Sequence, residues 1–228
     1  MFTRPLSHLP ANRWRPEFKF NLIQIVTHIA CWIPLGLLAI DYFSGNTKLL
    51  INPIQHLTFY TGDTAIRFLV LSLACTPANT LFGFKEAIKL RRPLGVYAFL
   101  YALAHFSIFL VDYNLDPKLL YEAIFEKRYA LVGFAAFLIL LPMALTSTKG
   151  WQKRLGKLWK RLHQLVYLAA ILVVIHYIWL VKSDIRTPLA YGAIVILLLA
   201  ARIPIVRRTA ANLRGRVVGK LRTVWLPE

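Results

Sequence analysis

The chain reads as an all-α, polytopic membrane protein, a six-transmembrane-helix bundle with both termini cytoplasmic. Three observations predict this. Of 228 residues, 57% are hydrophobic, and the mean hydropathy is +0.54, which excludes an ordinary soluble domain. Six runs are long and apolar enough to cross a hydrocarbon core of ~30 Å, which takes about 20 helical residues. Lys and Arg then alternate, segment by segment, between rich and poor connections. The runs are continuous rather than alternating in polarity, which excludes a closed barrel.

Taken in order, residues 1–20 form a polar cytoplasmic arm carrying Arg4, Arg13, Arg15 and Lys19. The arm is too long to introduce a cleaved signal peptide, and no small-residue cleavage site follows, so the first run (21–43) is expected to be a retained anchor. The outer 44–62 loop has only Lys48 as a basic residue and contains His56. The second run (63–84) carries Arg67 about one turn inside its outer end. A basic loop with Lys85, Lys89, Arg91 and Arg92 leads to the third run, 94–112. The next outer loop holds Lys118, Lys127 and Arg128 and leads to 129–147. Lys149, Lys153, Arg154, Lys157, Lys160 and Arg161 mark the second inner loop. The fifth run (163–181), a loop with Lys182 and Arg186, and the sixth run (189–206) complete the membrane domain, 21–206. A basic tail, 207–228, closes the chain.

Positive residues stay in the cytoplasm, and an even number of helices returns the chain to that side. The net charge of +18 is therefore a topology signal that also meets anionic lipid head groups, and it excludes nucleic acid as the partner. Cys31 and Cys75 fall inside helices as packing residues, and no internal repeat is visible. The chain carries neither GxGxxG nor GxxxxGK[ST], hence no nucleotide domain of its own, and no CxxCH for covalent heme.

Six histidines remain, and depth separates them. An imidazole inside an apolar run is costly and marks a functional site by default. His105 lies 13 residues past Arg92, or ~20 Å along a helix, and His176 lies 15 past Arg161, or ~22 Å. The third and fifth helices both start at the cytoplasmic side, so the two imidazoles reach nearly one level in the outer half of the membrane. That is the requirement for two axial ligands of one non-covalent heme b iron. The bland alternative is two unrelated histidines bonded to backbone or Ser/Thr. His163 opens the fifth helix, ~20 Å below His176 but about 140° away around it. The third helix offers Arg91 and Arg92 at that level, so a second bis-histidine heme in the same helix pair is not supported. His28 either completes a cytoplasmic site with His163 or simply packs. His56 covers the outer heme edge, faces a partner, or is solvated. Arg67 pairs with a heme propionate or snorkels to the interface.

The stretch Lys149-Gly150-Trp151-Gln152-Lys153-Arg154-Leu155-Gly156-Lys157-Leu158-Trp159-Lys160-Arg161-Leu162-His163-Gln164-Leu165-Val166-Tyr167, continuing to His176-Tyr177-Ile178-Trp179, resembles the MsrQ (YedZ) family of heme-binding membrane subunits, in the ferric-reductase-like transmembrane group. Gln55-His56, Thr61-Gly62, Thr76-Pro77, Arg91-Arg92-Pro93-Leu94-Gly95, Ala104-His105 and Thr146-Ser147-Thr148 extend the likeness over roughly 20–205. The resemblance implies heme b, one or two copies, with the family's heme histidines falling on His105, His163 and His176. FMN is implied as well, and Arg91, Arg92, Lys157 and Arg161 are the candidates for its phosphate. It further implies a bacterial inner-membrane electron carrier fed by a cytoplasmic flavin reductase or the quinone pool. Its electrons go to MsrP, a periplasmic molybdopterin enzyme that reduces methionine sulfoxide, so the sulfoxide chemistry belongs to the partner. The competing reading is a cytochrome b561-like quinone or ferric oxidoreductase, which needs four helix histidines in two aligned pairs. A transporter using the histidines as a proton relay is a third class, and a colourless purified protein would favour it.

Overall fold

A computed structural model describes residues 22–45, 51–181, 184–206, 208, 209 and 212. The N-terminal arm and most of the basic tail lie outside them. The helices are α1 (Leu22–Phe43), α2 (Pro53–Phe82), α3 (Ala87–Asp112), α4 (Pro117–Phe125), α5 (Arg128–Leu145), α6 (Lys149–Leu155), α7 (Lys157–Gln164), α8 (Val166–Leu180) and α9 (Arg186–Ala200). No strand occurs among the described residues.

Five segments are long and apolar enough to cross a membrane: α1, α2, α3, α5 and the continuous 157–180 stretch of α7 and α8. The sixth expected run is present as α9, but at 15 residues it extends only ~22 Å, short of a ~30 Å core. By length and composition, therefore, the described chain has five candidate spans.

Helix ends differ from the sequence expectation in ways that local chemistry explains. α2 begins at Pro53, ten residues before the expected 63. The Asn52 side chain accepts from the Gln55 N–H, and Pro53 occupies the first turn, where its missing N–H costs nothing. His56 is consequently a first-turn helical residue, not a loop residue. α2 ends at Gly83, whose φ of 73° is the left-handed cap conformation, and its N–H bonds the Asn79 carbonyl. α3 starts at Ala87 rather than 94 and runs through Pro93. Within the basic loop, Gly156 (φ 50°, ψ −115°) adopts a backbone conformation closed to side-chain-bearing residues and divides α6 from α7. The short α4 is set by Asp116, whose carboxylate accepts from the N–H groups of Lys118 and Leu119.

The packing is that of a lipid-facing bundle. α2 lies chiefly on α3, α5 on α8, α9 on α8, and α1 on α3. Small side chains sit at the closest contacts: Ala98, Ala136, Ala169 and Ala170 are almost fully buried. Lipid tails are as apolar as leucine, so helices gain from close backbone approach rather than from escaping water. Large apolar residues such as Ile29, Leu37, Ile196 and Leu197 are exposed on the outside. α1 buries only Cys31. It is held to the bundle by hydroxyl donors, with Tyr60 Oη bonding the Pro34 carbonyl at 2.7 Å and Tyr101 Oη the Cys31 carbonyl at 3.0 Å. Cys31 and Cys75 are both free and buried, the packing role expected of them.

Candidate functional site

A cavity of about 740 Å³ opens between α2, α3, α5 and α8, and both His105 and His176 line it. Its size falls within the ~300–1,000 Å³ typical of cofactor pockets. The wall is largely aromatic: Phe106 stacks against Phe137 with centroids 4.7 Å apart and against Phe134 at 5.7 Å. A flat apolar wall with a few polar groups at its edge suits a planar macrocycle.

The two imidazoles are held in the same manner. His105 Nδ1 donates to the Thr58 carbonyl at 2.8 Å, and His176 Nδ1 donates to the Tyr129 carbonyl at 2.7 Å. A main-chain oxygen accepts only, so Nδ1 carries the proton and Nε2 keeps its lone pair for a ligand in the cavity. The ring centroids stand 6.2 Å apart with planes at 82°. A metal–imidazole bond of about 2 Å on each side, plus the half-widths of two rings, gives a separation of about 6 Å.

Glycines make this possible. A Cβ on Gly62 would lie 3.0 Å from His105 Nδ1, and one on Gly133 would lie 2.6 Å from His176 Nδ1. Each ring therefore occupies a notch beside a glycine, closed to any larger residue at Gly133 and tight at Gly62. Gly62 follows Thr58 by four residues and Gly133 follows Tyr129 by four, so each ring lies over its glycine and bonds the carbonyl one turn back. In both cases carbonyl and histidine are 47 residues apart. Carbonyl, glycine and histidine thus recur with one spacing in α2–α3 and again in α5–α8. No sequence repeat is needed for this: Thr58 and Tyr129 differ, and only the glycine, the histidine and their spacing are shared.

The remaining expected site residues separate from this pair. His163 lies at the opposite end of α8's span, in α7. Its ring stacks on Trp159 with centroids 4.0 Å apart, Nδ1 meets the Trp159 carbonyl at 3.1 Å, and Nε2 is buried without a partner. No second histidine is in ring contact with it among the described residues. His28 Nδ1 meets Tyr97 Oη at 3.2 Å, joining α1 to α3. Arg67 pairs with Asp63 and donates from Nε to Tyr191 Oη at 3.4 Å, with its side chain 59% exposed. It does not line the cavity, whereas Asp63 does. Arg67→Gln is accordingly expected to leave the spectrum and content of any group bound between the histidines unchanged, as absorption of the purified variant would show. Arg91 lines a separate, smaller cavity, and Arg92 does not line either one.

Sequence reasoning missed the roles of Gly62 and Gly133; of the alternatives open for His56, the structure has it lining the cavity, stacked near Tyr60 (6.2 Å) with a buried, unpartnered Nε2. The shared spacing from glycine to histidine was the available signal. Among the described residues no group of three or more His, Cys, Asp or Glu could hold a bare metal ion. A pair of imidazoles across a cavity instead suits an iron that brings four equatorial ligands of its own.

Known proteins similar to this chain are heme-binding membrane subunits. The family described as "Ferric reductase like transmembrane component" matches residues 61–174, a span that includes Gly62, His105, Gly133 and the 149–167 loop. A protein of Xanthomonas oryzae pv. oryzae (strain MAFF 311018), named "Protein-methionine-sulfoxide reductase heme-binding subunit MsrQ", is 41% identical over 184 residues, covering 78% of this chain and 84% of its own. A relative of the same name from Herminiimonas arsenicoxydans is 41% identical over 189 residues, covering 81% and 86%. A third, from Xanthomonas euvesicatoria pv. vesicatoria (strain 85-10), is 41% identical over 185 residues, covering 79% and 85%. No solved structure matches the chain significantly.

Proposed function

The chain belongs to the MsrQ family of protein-methionine-sulfoxide reductase heme-binding subunits, and we propose that it carries electrons across the bacterial inner membrane through one heme b held by His105 and His176. The observation that carries this is the matched pair of backbone-anchored imidazoles, 6.2 Å apart across a cavity of cofactor size. Bound there, heme supplies a reversible one-electron centre. The protein fixes both imidazole tautomers, offers Nε2 from each side, and walls the ring with Phe106, Phe134 and Phe137.

Topology follows from charge. With the 85–92 and 149–161 segments inside, the His105–His176 cavity sits toward the periplasmic side, where a periplasmic acceptor docks. The acceptor is an MsrP-like molybdoenzyme, and methionine sulfoxide is reduced there. The six-span arrangement with cytoplasmic termini requires α9 to cross with residues beyond Ala200. Electrons enter from the cytoplasmic side, from a flavin reductase or from quinone. His163 lies at that end among Arg91, Arg92, Lys157 and Arg161, and FMN is proposed on this side, because His163 lacks the second imidazole another bis-histidine heme requires.

One measurement tests the count and the ligation together. Absorption spectra of the purified protein, oxidised and reduced, with extracted heme per chain, should give a b-type low-spin spectrum and one heme. Two hemes per chain would assign His163 to a second heme rather than to a flavin. A well-folded but colourless protein would overturn electron transfer and restore the transporter class.

A further inference from the structure

At the other end of the bundle, a second cavity of about 240 Å³ lies between the end of α2, the start of α3, the start of α8 and the turn after α9. Thr76, Thr80, Arg91, Tyr167 and Arg202 are among its walls. We propose that this cavity is a phosphate-binding site, with Arg91 and Arg202 supplying the charge and Thr76 a hydroxyl.

The case starts from Arg202. Its guanidinium donates to Tyr167 Oη and to the Leu73 carbonyl, each at 2.7 Å, and lies 4.9 Å over the Tyr167 ring. Both acceptors are neutral. Among the described residues no carboxylate pairs with Arg202 or with Arg91; the ion pairs there are Arg67–Asp63 and Lys89–Glu86. A half-buried guanidinium without a counter-charge is costly, and a second one on the same cavity adds repulsion. The third donor of Arg202, Nε, is buried and unpartnered, and so is Thr76 Oγ1 in the same wall. Native proteins rarely leave two buried polar atoms of one cavity unsatisfied unless something else meets them. An anion with several acceptor oxygens answers all three facts at once: charge, orphan donor and orphan hydroxyl. The volume narrows the anion. At 240 Å³ the space is below the usual ~300–1,000 Å³ of whole organic ligands, and suits a phosphate group on a larger molecule that lies outside. Basic pockets between transmembrane helices on the cytoplasmic side are a known setting for lipid phosphates. A soluble phosphate ester carries the same chemistry. The site shares Arg91 with the side on which FMN is proposed, but none of its residues lines the His105–His176 cavity.

The test uses the full-length heme-loaded protein and three variants, Arg202→Gln, Arg91→Gln and Thr76→Val. Thermal unfolding is followed in neutral detergent against inorganic phosphate, with chloride at equal ionic strength as control, and in phosphatidylcholine nanodiscs with and without phosphatidylglycerol. Stabilisation by phosphatidylglycerol alone assigns the site to a lipid head group. Stabilisation by inorganic phosphate in lipid-free detergent assigns it to a soluble ester. In either case Arg91→Gln and Thr76→Val should weaken the response about tenfold, the loss of one charge-assisted contact. Arg202→Gln also forfeits the Leu73 bond and serves only if it folds. Thr76→Val preserves shape, so it decides the matter. Equal responses of wild type and Thr76→Val to both probes, or no response beyond the chloride control, would overturn the proposal.

Discussion

His105→Ala and His176→Ala are each expected to lose the low-spin heme spectrum, with occupancy falling more than about tenfold because, on the proposed ligation, one of the two protein ligands is removed. Both must be lost equally, since the structure treats the two imidazoles alike: each has Nδ1 on a carbonyl and Nε2 toward the cavity. The ring planes cross at 82°, so the ligand fields in the two directions of the heme plane are nearly matched. The oxidised protein should therefore give a strongly anisotropic low-spin paramagnetic resonance signal rather than the rhombic one of parallel imidazoles. Full heme retention in both alanine variants would end the bis-histidine reading. His163→Ala, by contrast, should keep the spectrum.

Gly133→Ala carries the second large effect, out of proportion to the size of a methyl group. The added Cβ would fall 2.6 Å from His176 Nδ1 and 2.8 Å from Cε1, closer than real Cβ atoms come. The ring cannot retreat without stretching its 2.7 Å bond to the Tyr129 carbonyl. Loss of that orientation should reduce heme affinity about 10–100-fold, the usual range for outer-shell partners of a metal ligand. Gly62→Ala, with nearest approaches of 3.0 and 3.1 Å, should be milder. The ordering is checked by heme-to-protein ratios of the two variants purified side by side. A Gly133→Ala protein that binds heme as well as wild type would show that the notch does not set the ring.

Much of this was legible from the chain and some was not, for identifiable reasons. Long apolar runs locate membrane helices because the bilayer sets their length, and the depth of His105 and His176 follows from the basic residues that start their helices. The likeness to MsrQ, carried by the 149–167 loop and the histidines, is borne out by relatives at 41% identity. The short helices escaped notice because α4, α6 and α7 are held by end chemistry (Asp116, Thr148, Gly156) rather than by an apolar run. His56 was misplaced because the Asn52-Pro53 cap lies upstream of the apolar stretch that drew attention. The notches were hidden more deeply. A glycine in an apolar helix reads as a weak helix former, and the group that orients each imidazole is a main-chain oxygen, which no residue letter records. Thr58 and Tyr129 differ completely in side chain yet supply the same acceptor.

The recurrence of carbonyl, glycine and histidine in two helix pairs has a further consequence for how the molecule coheres. On the proposed ligation each helix pair contributes one ligand, so the iron would cross-link the α2–α3 and α5–α8 pairs, comparable to a disulfide that closes the chain between residues 105 and 176. Cofactor insertion then belongs to assembly as much as to electron transfer. The free energy of ligation would then be shared with that of docking the two pairs.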